Sequence, residues 1–152
     1  PMLYGLILQK EDSYEELIDL RKVFENGIFL LLAEKTLTSD QKDHLHRIAE
    51  DLEKAINQEP VDYKKVIDKD IDFHTALAEM TGNKLIILEN DMITKLTYHS
   101  RLKTVEKVMK DGQRQYLIDT HYDLLEKLEK GDIAQLYTAI QNSYFYWKDI
   151  YK

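Results

Sequence analysis

The chain has 152 residues, of which 43% are hydrophobic and 32% are charged, and its formal net charge is −7. This length and composition predict one globular domain with a substantial core. The negative charge argues against direct binding to nucleic acid, because proteins neutralise the phosphate backbone through Lys and Arg. The absence of cysteine excludes disulfides and thiolate metal sites. No run approaches the roughly 18 uninterrupted apolar residues that span a bilayer, so we expect a cytoplasmic protein without membrane contact.

The helical period of apolar residues predicts six helices in chain order. They occupy roughly 13–35, 39–57, 62–81, 84–108, 113–130 and 132 onward into an aromatic tail. Helix starts are marked by a Ser, Thr or Asp followed three residues later by Glu or Gln: Ser13 with Glu16, Thr38 with Gln41 and Asp132 with Gln135. Only five glycines and two prolines are present, and no convincing strand is seen beyond residues 3–8. We therefore expect an all-α fold, an antiparallel bundle of about six helices.

The first and fourth helices differ in how their apolar residues are distributed. The first has a single stripe, which we expect to face the core: Leu17, Leu20, Phe24, Ile28 and Leu31. The fourth is apolar on nearly every side, at Leu85, Ile86, Leu88, Met92, Ile93 and Leu96. A helix that is hydrophobic all round is usually buried, so we expect the fourth helix in the centre of the bundle.

Polar residues interrupt the apolar stripes at helical spacing. Asp70 and His74, four residues apart, lie on or beside the stripe of the third helix, and His121 occupies a core position in the fifth. Three further polar residues stand in similar positions: Arg21 in the first helix, His99 in the fourth and Ser143 in the sixth. Because burial of an unpaired carboxylate or imidazole costs several kcal/mol, we expect these groups to converge on an internal metal or ligand site.

Each of these residues also has an ordinary structural interpretation. A single histidine on an apolar face is more often a hydrogen-bonded core residue than a ligand. Asp70 could pair with a lysine, and Ser143 could simply fill space in the core. Arg21 could reach the surface with its charged end, or pair with Glu25 one turn further on. Spacing alone does not decide between these interpretations and a functional site.

Three segments resemble the FCD domain, the ligand-binding domain of the FadR-like branch of GntR-family transcription regulators. They are LIDLRKVFENGIFLLLAEK near the start, DKDIDFHTALAEMTGNKLI in the middle and HYDLLEKLEKGDIAQLYTAI near the end. The residues that carry the resemblance are Arg21, Glu25, Asp70, Phe73, His74, Gly82, Asn83, His121, Leu124, Gly131 and Asp132. The similarity spans roughly 13–150, and the three motifs occur in the family's order.

The resemblance implies a metal site formed by one Asp and three His. Asp70, His74 and His121 match three of these ligands, whereas Ser143 stands where the fourth histidine is expected. Three protein ligands and water can still hold a divalent cation such as zinc, nickel or manganese. The other interpretation is a site that has lost its metal and binds its ligand directly. His99 is a candidate to replace the missing histidine from another helix.

The resemblance also implies how the chain is organised and what it does. Residues 1–12 are then a linker from a missing N-terminal DNA-binding domain, and 13–152 are the effector-binding domain. The implied function is that of an effector-sensing homodimer that contacts DNA only through the missing domain. We expect a small carboxylate, such as a sugar acid, between the metal site and Arg21, because a guanidinium binds a carboxylate through two parallel hydrogen bonds.

Two other classes of function remain open from the sequence. One is a metalloenzyme on a helical bundle, against which stands the absence of paired Glu-x-x-His and of His-Glu-x-x-His motifs. The other is a structural interaction domain in which Asp70, His74 and Arg21 form a buried polar network. We expect no enzymatic activity, because no general base is recognisable around the three metal-ligand candidates.

Overall fold

The structure, a computed structural model, describes residues 13–144, which form six α-helices and, within that range, no strand. The helices are α1 (Ser13–Ala33), α2 (Ser39–Asn57), α3 (Tyr63–Met80), α4 (Lys84–Lys110), α5 (Arg114–Lys130) and α6 (Ile133–Ser143). The predicted all-α bundle of about six helices is confirmed. The expected linker over 1–12, the extended run at 3–8 and the aromatic tail after residue 144 lie outside the described residues.

Short-range capping explains why most helix starts were readable from the sequence. Thr38 and Gln41 form the expected capping box at the start of α2. Asn83 accepts hydrogen bonds from the first backbone N–H groups of α4, and Asp132 accepts one from the N–H of Gln135 in α6. The Ser13 side chain at the start of α1 lies outside the described side chains. Caps depend on residues three positions apart, so they form regardless of how the helices later pack.

Gly131 ends α5 in the left-handed conformation, with φ at 67°. An added Cβ would meet only the Ala33 carbonyl oxygen at 3.8 Å, which is ordinary contact, so backbone strain alone opposes substitution. We expect Gly131→Ala to lower the free energy of unfolding by about 1 kcal/mol, measured by urea titration. Gly131→Asn, whose residue tolerates this conformation better, is expected to lose less. Equal stability of Gly131→Ala and the native chain would contradict this account.

Two hydrophobic clusters form the core, and α3 contributes to both. Phe73 of α3 packs with Phe29 of α1 and Leu125 of α5 in the first cluster. Ile67 of α3 packs with Ile56 of α2 in the second cluster. Ile67 and Phe73 are less than two helical turns apart along α3. Asp70 lies between them, and His74 directly follows Phe73.

The inward faces of α1 and α4 differ from those expected. Leu20 and Leu31 are 42% and 39% exposed, and the buried face of α1 is instead centred on Arg21, Glu25 and Ile28. The expected central position of α4 is also wrong. Leu85 and Leu88 in its first half are exposed, while the opposite face of the helix is buried. No helix within residues 13–144 is both long and apolar enough to cross a bilayer.

Candidate metal and effector site

Asp70, His74 and His121 meet at one point between α3 and α5. The Oδ1 atom of Asp70 lies 2.8 Å from Nε2 of His121 and 3.5 Å from Nε2 of His74. One ligand atom from each of the three residues lies within 4.8 Å of the others. The three side chains are only 14%, 12% and 7% exposed, in the order Asp70, His121, His74. The helical spacing predicted inward faces for these three residues, and the structure brings them together.

The orientation of His121 suits a metal ligand. Its Nδ1–H donates to the backbone carbonyl of Leu117 at 2.7 Å, because a carbonyl oxygen can only accept. In the neutral ring this leaves Nε2 with a lone pair that faces the Asp70 carboxylate. Two lone pairs at 2.8 Å repel unless a cation or a proton lies between them. A second hydrogen bond that fixes the tautomer in this way is characteristic of histidines that bind metals.

Phe73 fixes the directions of both imidazole rings. It is fully buried, and its ring meets those of His74 and His121 edge to face, with centroids 5.4 Å and 4.9 Å apart. Such aromatic contacts restrict the rotation of a ring without occupying its nitrogens. Phe73, one of the residues that carry the family resemblance, therefore positions the site, while His74 and His121 present their nitrogens to it.

A second ionic group lies beside the three potential ligands. Glu25 of α1 accepts a hydrogen bond at 2.5 Å from Nε of Arg21, and its other oxygen accepts one from the Tyr144 hydroxyl. Nδ1 of His74 lies 3.6 Å from the same Glu25 carboxylate. The pairing of Arg21 with Glu25 is the ordinary interpretation that the sequence left open, and it holds in the structure. Arg21 nevertheless also lines the cavity described below.

Arg101 of α4 joins the two carboxylates and was not singled out from the sequence. Its Nη1 donates to Oδ2 of Asp70 at 2.7 Å, and Nη2 lies 3.6 Å from Oε1 of Glu25. Its Nε donates to the Thr97 hydroxyl, and the side chain is 3% exposed. A signal was present in the sequence: Thr97, Arg101 and Thr104 form a polar stripe at helical spacing. The apolar residues on the other faces of α4 concealed it.

Opposed charges keep the two carboxylates ionised. Burial alone raises the pKa of Glu25, but Arg21, then His74 and Arg101, outweigh it and lower the pKa to about 2. Burial likewise raises the pKa of Asp70, yet His74, the hydrogen bond with His121 and the charge of Arg101 hold that pKa well below its usual range. Burial and the adjacent Arg21 lower the pKa of Arg101. With neutral imidazoles, two guanidinium groups balance two carboxylates, and an added divalent cation would leave an excess of positive charge.

Most of these ionic groups line one cavity inside the bundle. The cavity has a volume of about 50 Å³, enough for a few water molecules. Its polar lining consists of Arg21, Asp70, His74, Arg101, Thr104, Tyr116, Thr120, His121 and Ser143. Its apolar lining consists of Leu52, Ile56, Val66, Val105, Val108, Leu117 and Leu124. The lining therefore combines charged and apolar side chains.

The structure places Ser143 in the lining of the cavity and His99 outside it. Ser143 lines the same cavity as the three potential ligands, although its hydroxyl donates to the Ile140 carbonyl at 2.7 Å. His99 is exposed and does not line the cavity, so the expectation that it faces inward is wrong. It lies nearly half a turn around α4 from Arg101, whose face is held inward by Asp70 and Glu25.

Comparison with known proteins agrees with the fold. The model of the FCD domain family matches residues 16–144, so the chain belongs to the FCD domain family. Among solved structures, E. coli McbR/YncC matches with a TM-score of 0.71 and 18% sequence identity. That match covers 94% of this chain and 68% of the other, and at this identity it shows a shared fold. No curated protein matches the chain in sequence.

Proposed function

We propose that this chain is the effector-binding and dimerising domain of a GntR-family transcription regulator. The observation that carries the proposal is the convergence of Asp70, His74 and His121 with two buried arginines on one internal cavity. Membership of the FCD family supports a regulatory role. In the proposed regulator, which acts in the cytoplasm, a separate N-terminal domain binds DNA, and residues 1–12 belong to the linker.

We further propose that a divalent metal, zinc, nickel or manganese, binds to Asp70, His74 and His121. The lone-pair opposition between His121 and Asp70 supports this, because a cation between the two atoms removes it. A bound metal would supply a Lewis-acidic position for an oxygen of the effector. Arg101, which holds the other oxygen of Asp70, would orient that carboxylate, as a hydrogen-bonded neighbour does for many metal ligands. Ser143 can add at most a neutral oxygen.

The proposed effector is a small carboxylate that carries an apolar group. Arg21 and Arg101 provide cationic groups in the lining of the cavity, and a guanidinium can bind a carboxylate through two parallel hydrogen bonds. Leu52, Val105 and Leu117 in the same lining favour a short aliphatic group over the hydroxyls of a sugar acid. The sequence had pointed to sugar acids and other short organic acids together, and the lining favours the second group.

The effector acts by binding one arrangement of the regulator better than another. A ligand with equal affinity for two arrangements shifts neither, however tightly it binds. Arg21, Asp70 and Arg101 lie on α1, α3 and α4, so one anion in the cavity contacts three helices at once. A change in the relative position of these helices in a homodimer would then alter the spacing of the two DNA-binding domains.

The test is a thermal-shift panel on the native chain and on Arg21→Lys. We expect short aliphatic monocarboxylates to raise the melting temperature by several degrees at saturating concentration, since binding stabilises by mass action. The matching neutral amides, which lack the anionic group, are expected to have no effect. Arg21→Lys keeps the charge beside Glu25 but loses the planar fork, so its response should be weaker. Equal shifts with acids and amides would contradict an anion site.

A structural role for the polar network is the alternative that a specific observation favours. Asp70 and Glu25 each have protein partners without any ligand, namely Arg101 and His121 for Asp70, and Arg21 and Tyr144 for Glu25. A purely structural network predicts neither metal binding nor a response to carboxylates. FCD family membership favours regulation over the metalloenzyme alternative, and we propose that the chain has no catalytic activity.

A further inference from the structure

Glu25 lies behind the two arginines of the cavity and not in its lining. Its Oε1 atom is 2.5 Å from Nε of Arg21 and 3.6 Å from Nη2 of Arg101. Its other oxygen accepts a hydrogen bond from the Tyr144 hydroxyl. Both arginines line the cavity, whereas Glu25 does not. The Glu25 carboxylate therefore lies close to both cations of the site without reaching a molecule bound in the cavity.

Glu25 carries a permanent charge in a buried position. Its side chain is 8% exposed. Burial raises its pKa, but Arg21, then His74 and Arg101, outweigh burial and lower the pKa to about 2, so the carboxylate is ionised at neutral pH. Dissolved ions screen buried charges much less than exposed charges. The charge of Glu25 therefore acts across the guanidinium groups on any ion in the cavity.

The distance between Glu25 and an anion in the cavity would be short. Charge-assisted hydrogen bonds are about 2.8 Å long, so an anion on the cavity side of Arg21 would lie within roughly 8 Å of Glu25. At an effective dielectric constant of about 20, repulsion at this distance lowers the affinity of a singly charged anion on the order of tenfold. Coulomb energy is proportional to the charge of the ligand, so a dianion loses up to the square of that factor.

We propose that Glu25 determines the charge of the effector, favouring a monoanion over a dianion. This deepens the proposed function and rests on its anion site. With neutral imidazoles, Glu25 and Asp70 balance the charges of Arg21 and Arg101, so the metal-free network has no net positive charge to hold a second anionic group. The effector class is then a monocarboxylate, and a dicarboxylate of similar size binds less tightly.

The experiment compares the native chain with Glu25→Gln in calorimetric titrations with acetate and malonate. The protein is metal-free and the ionic strength is constant. Glutamine keeps the length of the side chain and an oxygen that accepts from Arg21, and it removes the charge. In Glu25→Gln, we expect the affinity for acetate to rise about tenfold and that for malonate up to about 100-fold. The ratio of malonate affinity to acetate affinity should therefore rise about tenfold.

Zinc provides a readout of the opposite sign. Removal of a negative charge beside the proposed metal site should weaken zinc binding about tenfold, while anion binding becomes stronger. A substitution that only loosens the structure of the site would weaken both. Opposite changes for zinc and for the two acids would therefore identify the charge of Glu25 as the cause.

Two control variants separate charge from structure. Glu25→Asp keeps the charge on a shorter side chain, so the malonate-to-acetate ratio should stay at its native value. Glu89→Gln removes a carboxylate at an exposed position of α4 and should change neither affinity. A native ratio in Glu25→Gln would overturn the proposal, while acetate binding by the native chain would keep the anion site. Absence of acetate binding in every variant would remove the anion site of the proposed function and this inference with it.

A second measurement applies if Glu25→Gln does not fold by itself. Malonate should then restore the helical circular dichroism signal, because a bound anion replaces the missing negative charge and stabilises the fold by mass action. Malonamide, which has a similar shape and no charge, should not restore it. An unfolded Glu25→Gln chain that malonate does not restore would also overturn the proposal.

Discussion

Asp70→Asn is expected to reduce the affinity of the chain for zinc at least about 100-fold. The substitution keeps the shape of the side chain but removes the one anionic ligand among Asp70, His74 and His121. Loss of a residue that only supports a ligand already costs about 10- to 100-fold in affinity, so loss of a ligand should cost more. Isothermal titration calorimetry with zinc, and elemental analysis of the purified protein, measure the change.

His99→Ala is the matched control for this prediction. It removes an exposed imidazole that lies outside the cavity, so zinc binding at the site should remain unchanged. A native chain that shows neither bound ion nor heat of binding would favour the metal-free interpretation of the site. Loss of binding in His99→Ala equal to that in Asp70→Asn would show that the heat comes from a different place.

Ser143→His tests the same site by adding a potential metal ligand instead of removing one. Ser143 lines the cavity with the three potential ligands, and a histidine there would complete the four-ligand set that the family resemblance implies. Because zinc prefers four tetrahedral ligands, we expect affinity to rise about tenfold or more. An unchanged affinity, with the fold intact by circular dichroism, would show that residue 143 does not reach the metal position.

Arg101→Met is expected to be the most destabilising single change in the charged network. Arg101 is almost completely buried between the Asp70 and Glu25 carboxylates, and its removal leaves both with fewer cationic partners. Removal of one partner of a buried ion pair typically costs about 3–5 kcal/mol. For a domain of this size that corresponds to a fall in melting temperature of roughly 10 °C, which scanning calorimetry measures.

A surface pair provides the control for Arg101→Met. Lys64 and Asp68 form an exposed pair at 2.7 Å on α3, and Lys64→Met should leave the melting temperature unchanged within error. The double variant Arg101→Met with Asp70→Asn should recover part of the loss, because it also removes a carboxylate left with fewer partners. Equal destabilisation by Lys64→Met and Arg101→Met would mean that burial of the ion pair is not the cause.

Asp70 connects these two predictions through its two oxygens. Oδ1 faces the imidazoles of His74 and His121, while Oδ2 accepts from Arg101. The same carboxylate can therefore bind a metal and stay bound to Arg101. Metal affinity and fold stability are coupled at this residue, so Asp70→Asn should be measured for both.

The positions of the helices were predictable from the sequence because they depend on local interactions. The Thr38–Gln41 capping box, the Asn83 cap and the left-handed Gly131 act within one turn and need no tertiary partner. The pairing of Asp70 with His74 was equally accessible, since residues four apart on a helix are neighbours. The same period put His121 at a core position of its own helix, while its grouping with Asp70 and His74 as metal ligands came from the FCD resemblance. The family match confirms the family.

The faces that each helix buries were decided by tertiary structure. The helical period of a sequence shows which residues share a stripe, but not which stripe faces the core. Both α1 and α4 carry two such stripes. Which stripe turned inward depended on ion pairs between helices, above all that of Arg101 with Asp70, whose partners are 31 residues apart in the chain. That pair buried Arg101 and left His99 exposed on the opposite face of α4. Sequence spacing contains no information about such contacts, because it describes each helix alone, whereas the energy of a buried charge depends on its neighbours on other helices.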